Sequence, residues 1–178
     1  MKYVVVYLIK GKAKKYQTSL TNKLSRKFNL KNLNKSIMPH LTLKYFNQPV
    51  DGNKLNQLEI ALDNFSKKVN QFEFNLFGFG NFDEKVIFIK TQNKNLDKLY
   101  RKFTSELNKL KWIKWRKYEK MKHNFHATLN YINGRKQFKE ILKHLSDRNP
   151  NYKLKFDNIA ILTKPKDKWI IYKEFKIK

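Results

Sequence analysis

Two short stretches repeat one chemical pattern, His40-Leu41-Thr42-Leu43 and His126-Ala127-Thr128-Leu129, with the histidines 86 positions apart. With 7 Thr and 20 Leu in 178 residues, chance puts Thr at +2 and Leu at +3 of a given His in roughly 0.4% of cases. Two such hits among 4 His have a probability of about one in ten thousand. The likeness runs on, because HLTLKYF (40–46) and HATLNYI (126–132) share His, Thr, Leu and Tyr in the same order. The pattern reads as an internal repeat that supplies one site with two imidazoles. Two histidines facing each other across a pocket can serve as acid and base near neutral pH, where an unperturbed imidazole titrates.

An extended strand sends alternate side chains to opposite faces. On that rule His40, Thr42 and Lys44 share one face and Leu41, Leu43 and Tyr45 the other; His126, Thr128 and Asn130 likewise oppose Ala127, Leu129 and Tyr131. Two such strands related by a pseudo-dyad bring their polar faces into one cleft, and a phosphodiester suits it. Each threonine hydroxyl can donate to a non-bridging oxygen, one imidazole can take a proton from water, and the other can protonate a departing ribose oxygen. A metal site is not expected, since neither tetrad contains Asp or Glu and nearby carboxylates lack ligand-like spacing. His123 and His144 have no motif around them and are read as structural.

The elements that must position these residues follow from periodicity. Tyr3 to Ile9 reads as a strand, too short to cross a bilayer and without a small-residue cleavage site after it. Tyr16, Leu20, Leu24 and Phe28 recur every four residues and predict a helix over about 14–28. A polar loop (29–36) leads to Pro39 and the first tetrad. A second helix follows Asp51-Gly52, carrying Leu55, Leu58, Leu62, Phe65 and Val69. Phe72, Phe74 and Leu76 alternate as a strand, with Gly78 and Gly80 expected to mark a turn before a partner strand over 85–90. Leu96, Leu99, Phe103, Leu107 and Leu110 define a third helix. A helix after Gly134 and strands near 152–156, 159–163 and 168–176 complete the chain.

Each tetrad strand is therefore followed by a helix and then by extended segments, in both halves of the chain. The expected fold class is α+β, with two pseudo-symmetric β-α-β lobes flanking a central cleft and residues 1–178 forming one two-lobed domain. The stretch 111–122 is no linker, for it contains Trp112, Ile113, Trp115 and Tyr118. Interleaved with Lys111, Lys114, Arg116 and Lys117, these rings could stack bases in a basic groove or simply be buried, the commoner fate of such aromatics. Phe77, Phe79 and Phe82 pose the same choice.

Composition sets the frame. A 40% hydrophobic content with 14 Phe, 9 Tyr and 3 Trp suffices for a core. The absence of cysteine removes disulfides and thiol chemistry and makes the cytoplasm the default location. The net charge of +26 attracts polyanions, yet 35 Lys against 5 Arg, with 20 Asn and 4 Ala, is also what an AT-rich genome produces.

Pro39-His40-Leu41-Thr42-Leu43-Lys44-Tyr45 and Phe125-His126-Ala127-Thr128-Leu129 resemble the paired His-x-Thr-hydrophobic motifs of the 2H phosphoesterase superfamily, which includes the 2'-5' RNA ligase and 2',3'-cyclic phosphodiesterase group. The resemblance covers nearly the whole chain. It implies hydrolysis of a 2',3'-cyclic phosphate to a 2'-phosphate without metal or other cofactor, or ATP-independent joining of RNA ends through a 2'-5' bond. It implies His126 as general base toward water, His40 as general acid toward the ribose 3'-oxygen, and Thr42 and Thr128 as phosphate ligands. Some members carry an arginine shortly after the second motif. Asn130 stands there in this chain, and Lys44 is the expected replacement cation. The expected partner is RNA or a nucleotide bearing a cyclic phosphate, and the expected state is a monomer away from membranes. Two rival readings are an RNA-binding module without turnover and an enzyme for a small non-nucleic cyclic phosphate.

Overall fold

A computed structural model describes residues 1–116, 119 and 123–178. The elements run β1 (Lys2–Leu8), α1 (Gly11–Lys27), a 3-10 turn (Leu33–Lys35), β2 (His40–Tyr45), α2 (Gly52–Lys68), β3 (Glu73–Phe82), β4 (Val86–Gln92), α3 (Lys94–Leu107), β5 (His126–Tyr131), α4 (Arg135–Leu145), β6 (Asn151–Lys155), β7 (Asn158–Lys164) and β8 (Ile170–Lys176). The strands form two antiparallel four-stranded sheets, ordered β2-β1-β7-β8 and β5-β4-β3-β6. The units β1-α1-β2 and β4-α3-β5 repeat, each placing its histidine strand at the same edge of its own sheet. Strands are exchanged between the halves: the first sheet is completed by β7 and β8 from the second half of the chain, and the second by β3 from the first half together with β6 from its own.

The exchange of strands explains why β1 reads as an unbroken apolar run. Tyr3, Val5 and Tyr7 enter the main core, while Val4, Val6 and Leu8 pack on the other face with Ala160, Leu162 and Trp169. A strand buried on both sides has no polar face to show. The main core links the sheets through stacked rings: Tyr7 lies on Phe156 at 4.9 Å between centroids, and Phe156 on Phe72 at 5.3 Å. The Tyr7 hydroxyl donates to the Lys155 carbonyl at 3.1 Å, and burial pushes its pKa up.

Helix starts follow local chemistry. The Asp51 carboxylate accepts from the Lys54 backbone N–H at 2.9 Å to cap α2, and the Asn93 side chain accepts from Asn95 N–H at 2.7 Å ahead of α3. The expected turn at Gly78 and Gly80 is corrected. β3 continues through both glycines to Phe82, and the reversal comes at Asp83 and Glu84, both at positive φ. Gly78, at φ +52, sits instead at a bulge where the register shifts between Phe77 and Phe79.

Candidate active site

His40 opens β2 opposite Leu8, and His126 opens β5 opposite Lys90. Each ring is anchored to the backbone two residues before it: His40 Nδ1 lies 2.8 Å from the Met38 carbonyl and His126 Nδ1 2.7 Å from that of Asn124. A carbonyl oxygen only accepts, so each Nδ1 carries its proton and each Nε2 of the neutral ring keeps a lone pair. Both rings line one cavity of about 350 Å³, together with Thr42, Thr128, Tyr45, Tyr131 and Gln17. Burial is the main cause that lowers the His40 pKa to about 4, opposed by the Met38 carbonyl and reinforced by His126. Burial also lowers His126, against its bond to Asn124.

Strict alternation fails after each threonine, in the same way on both strands. In β2, Thr42 faces Val6 and Lys44 faces Val5, so Leu43 has no partner; in β5, Thr128 faces Phe88 and Asn130 faces Ile87, so Leu129 has none. A bulge puts two successive residues on one side. Leu43 and Lys44 are both buried, as are Leu129 and Asn130, and Tyr45 and Tyr131 turn to the cavity instead.

Two expectations are thereby corrected. Lys44 does not share the His40 face: its ammonium lies inside, 2.6 Å from Glu119 Oε2, 2.8 Å from the Lys114 carbonyl and 4.6 Å from the centre of the Trp115 ring. It is therefore no ligand for a phosphate in the cleft. Asn130 likewise points away, donating to Ser25 Oγ at 2.9 Å. Among the described residues the lysine that lines the cavity is Lys31, from the loop after α1.

The bulge carbonyls need donors. α1 lies across the second sheet, where Gln17 Nε2 donates to Thr128 O at 2.9 Å and Thr21 Oγ1 to Leu129 O at 3.2 Å. Gln17, Thr21 and Ser25 form a buried polar stripe at four-residue spacing beside the apolar one. On the other strand His123 Nε2 donates to Thr42 O at 2.8 Å, its ring stacked on Tyr100 at 4.1 Å and burial lowering its pKa. His123 is thus structural, and it fixes the backbone of a site residue. His144 sits elsewhere, beside Lys27 and Phe28.

Aromatic rings brace His126: Phe82 meets it edge-on at 4.8 Å and Phe88 at 5.1 Å. Gly80 makes room for that packing, since a Cβ there would lie 2.5 Å from the Phe88 ring. Trp112 packs on Phe46 and donates to Gln57 Oε1 at 3.0 Å, and Trp115 covers Lys44, so both rings are part of the packing. Lys117 and Tyr118 lie outside the described residues. Among the described residues no group of three or more His, Asp or Glu could hold a metal ion, and no helix is long and apolar enough to cross a membrane.

Two antiparallel sheets, each giving one His-x-Thr strand to a shared cleft, define a duplicated α+β protein with a two-histidine site. The family model of the 2'-5' RNA ligase superfamily matches residues 14–168, and the chain belongs to that superfamily. Solved structures share the fold. TT0787 of Thermus thermophilus is 14% identical with a TM-score of 0.70, covering 99% of this chain and 98% of that one. E. coli LigT complexed with 3'-AMP is 11% identical with a TM-score of 0.66, over 99% and 98%. E. coli LigT complexed with NADP+ is 12% identical with a TM-score of 0.57, over 99% and 97%. No curated protein matches the chain in sequence.

Proposed function

We propose that the protein opens ribose 2',3'-cyclic phosphates at RNA ends or on nucleotides to 2'-phosphates, and by reversal joins RNA ends through 2'-5' bonds. One observation carries this reading: two histidines, each held by Nδ1 to the carbonyl two residues before it, offer two Nε2 atoms to one cavity beside two threonines. The LigT structure that holds 3'-AMP, a ribonucleotide, is consistent with a nucleotide in such a cleft.

In hydrolysis, water attacks phosphorus opposite the 3'-oxygen. One Nε2 takes the proton that water loses, the P–O3' bond breaks, and the other Nε2–H delivers its proton to O3'. Atoms and charge balance with one proton on the pair. Thr42 and Thr128 donate to the non-bridging oxygens, and Tyr45 and Tyr131 flank the nucleoside. Both imidazoles are neutral at pH 7 in the free site because of burial. The entering anion raises both, and the charge on one suppresses the other, so the pair titrates as a unit. The family resemblance gives water to His126 and O3' to His40. Deeper burial of His40 favours the reverse order in the free site, so the pH limb lost with each substitution assigns the roles.

The test is incubation with 2',3'-cyclic nucleotides in chelator, with ³¹P NMR identifying which ribose oxygen retains phosphorus. A 2'-phosphate product that disappears in both His40→Ala and His126→Ala is expected. Intact cyclic phosphate with the wild-type protein, or turnover indifferent to both histidines, would overturn the reading.

A further inference from the structure

The two donors that hold the bulge carbonyls of Thr42 and Thr128 are not placed alike, for Gln17 lines the catalytic cavity and His123 does not. Gln17 is only 3% exposed, and its Nε2 is committed to the Thr128 carbonyl at 2.9 Å. A carbonyl oxygen only accepts, so the amide cannot be turned round, and Oε1 is the atom left over beside the histidine strand. That Oε1 is buried and accepts from no donor among the described residues. Asn130 Oδ1 is in the same condition, but Asn130 does not line the cavity.

A buried acceptor without a donor is costly, so one carried by a residue of the site tells what the site binds. Phosphate oxygens do not answer to it, because they too are acceptors; Thr42, Thr128 and Lys31 line the same cavity and can donate to them. The complement of Oε1 is a hydrogen. Of the groups that meet at phosphorus, the attacking water has one to spare, since it carries two and the base takes one.

We infer that Gln17 Oε1 accepts the second hydrogen of the attacking water, which makes Gln17 a catalytic residue that favours water over an alcohol as nucleophile. The inference rests on the phosphodiesterase reading above and adds a residue to its chemistry. The water oxygen bonds to phosphorus as P–O3' breaks, one proton passes to an imidazole Nε2, and the other imidazole protonates O3'. The remaining hydrogen stays on the new P–OH, held by Oε1. An alcohol gives its single proton to the base and brings carbon to the place of that hydrogen, so it gains nothing from Oε1. Because Gln17 is tied to the strand of His126, the water falls to His126. An acceptor fixed before the reaction needs no rearrangement during it.

The experiment is a partition. A 2',3'-cyclic nucleotide is incubated with each protein at several methanol concentrations, and mass spectrometry gives the ratio of 2'-phosphate to its methyl ester. The ratio is an internal comparison, because looseness at Thr128 slows both nucleophiles. Gln17→Leu loses donor and acceptor: turnover should fall, and the ratio should drop about fivefold, the worth of one neutral hydrogen bond. Gln17→Met repeats this measurement if the leucine variant does not fold. Gln17→Glu keeps an acceptor and should hold the ratio at or above the wild-type value, at lower turnover. Thr21→Val, which frees the neighbouring Leu129 carbonyl, should slow both products and leave the ratio alone. A ratio unchanged in Gln17→Leu, an equal drop in Gln17→Glu or Thr21→Val, or no methyl ester from any of the proteins would overturn the inference. A raised KM with an unchanged ratio would set Oε1 against the nucleoside and overturn it too. In these cases the wild type still makes 2'-phosphate; if it makes neither product, the phosphodiesterase reading falls, and this inference with it.

Discussion

In β2 the carbonyl of Thr42 receives the ring N–H of His123; in β5 the carbonyl of Thr128 receives the amide of Gln17. The residue after each bulge is buried in both strands, yet Lys44 ends on Glu119 and Asn130 on Ser25. The two halves thus repeat backbone geometry and cleft-facing side chains, and share almost nothing of what supports them. The difference has a physical reason. In the proposed reaction two imidazoles and two hydroxyls flank one phosphorus and must be equivalent in position, whereas a carbonyl at a bulge needs only some donor, and any element that passes can provide it.

The sharpest way to break the comparison is to remove each imidazole. His40→Ala and His126→Ala should each lower kcat for cyclic phosphate opening by about 10² to 10⁴, and the double variant should fall little further, since acid and base act in one step. Steady-state kinetics on one cyclic nucleotide checks this. A large loss from one histidine and a trivial one from the other would show that the halves are alike in form only.

The buried supports should differ in strength. Glu119→Ala strands the Lys44 ammonium in the interior, where both partners are nearly inaccessible, and should cost about 3–5 kcal/mol by urea unfolding. Ser25→Ala on the other half removes a neutral partner of Asn130 and should cost about 1–3 kcal/mol. Equal costs would mean that the charge on Lys44 is relieved in some other way.

Proton linkage sharpens the same contrast. The His40 pKa lies at about 4 when folded against 6.5 for an ordinary imidazole, so the unfolded chain binds more protons between these values. Stability should therefore fall as pH drops from 6.5 to 4, by at most about 3 kcal/mol from this ring, and His40→Gln should flatten the decline in Tm. Both limbs of the kcat/KM bell should lie acid of the ordinary imidazole range, because that ratio reports the free enzyme. Sulfate, a dianion throughout this range, should bind more tightly as pH falls, since it favours the charged rings. A Tm that holds steady across the window would refute the depressed His40.

How much of this was legible in the sequence follows from where each residue points. The histidines, the threonines and the helices with their apolar stripes were readable, because their spacing is a property of one segment. Lys44 and Asn130 were misplaced, because a bulge is set by the pairing of β2 with β1 and of β5 with β4, and strict alternation has no room for an unpaired residue. Tyr45 and Tyr131 were lost to the wrong face for the same reason. A signal for the supports did exist: Gln17, Thr21 and Ser25 repeat every four residues, a polar stripe that an apolar search on the same helix passes over. His123 carried no such mark, since its acceptor is a backbone atom 81 positions away.

The smallest effect tests whether the two carbonyl donors are interchangeable. Gln17→Ala and His123→Ala each leave a threonine carbonyl without its donor, and each should cost about 1–3 kcal/mol of stability. His123→Ala should be the more harmful, because its ring also stacks on Tyr100 at 4.1 Å and meets Phe125 edge-on at 4.5 Å, contacts worth about 0.5–1.5 kcal/mol. His123→Gln copies the donor used by the other half. If the carbonyl bond is what matters to the site, this variant should recover the kcat lost in His123→Ala while recovering only part of the stability, since the ring stack stays missing. Recovery of neither would mean that the β2 half depends on the shape of the imidazole, and that the two supports, though aimed at equivalent atoms, are not equivalent devices.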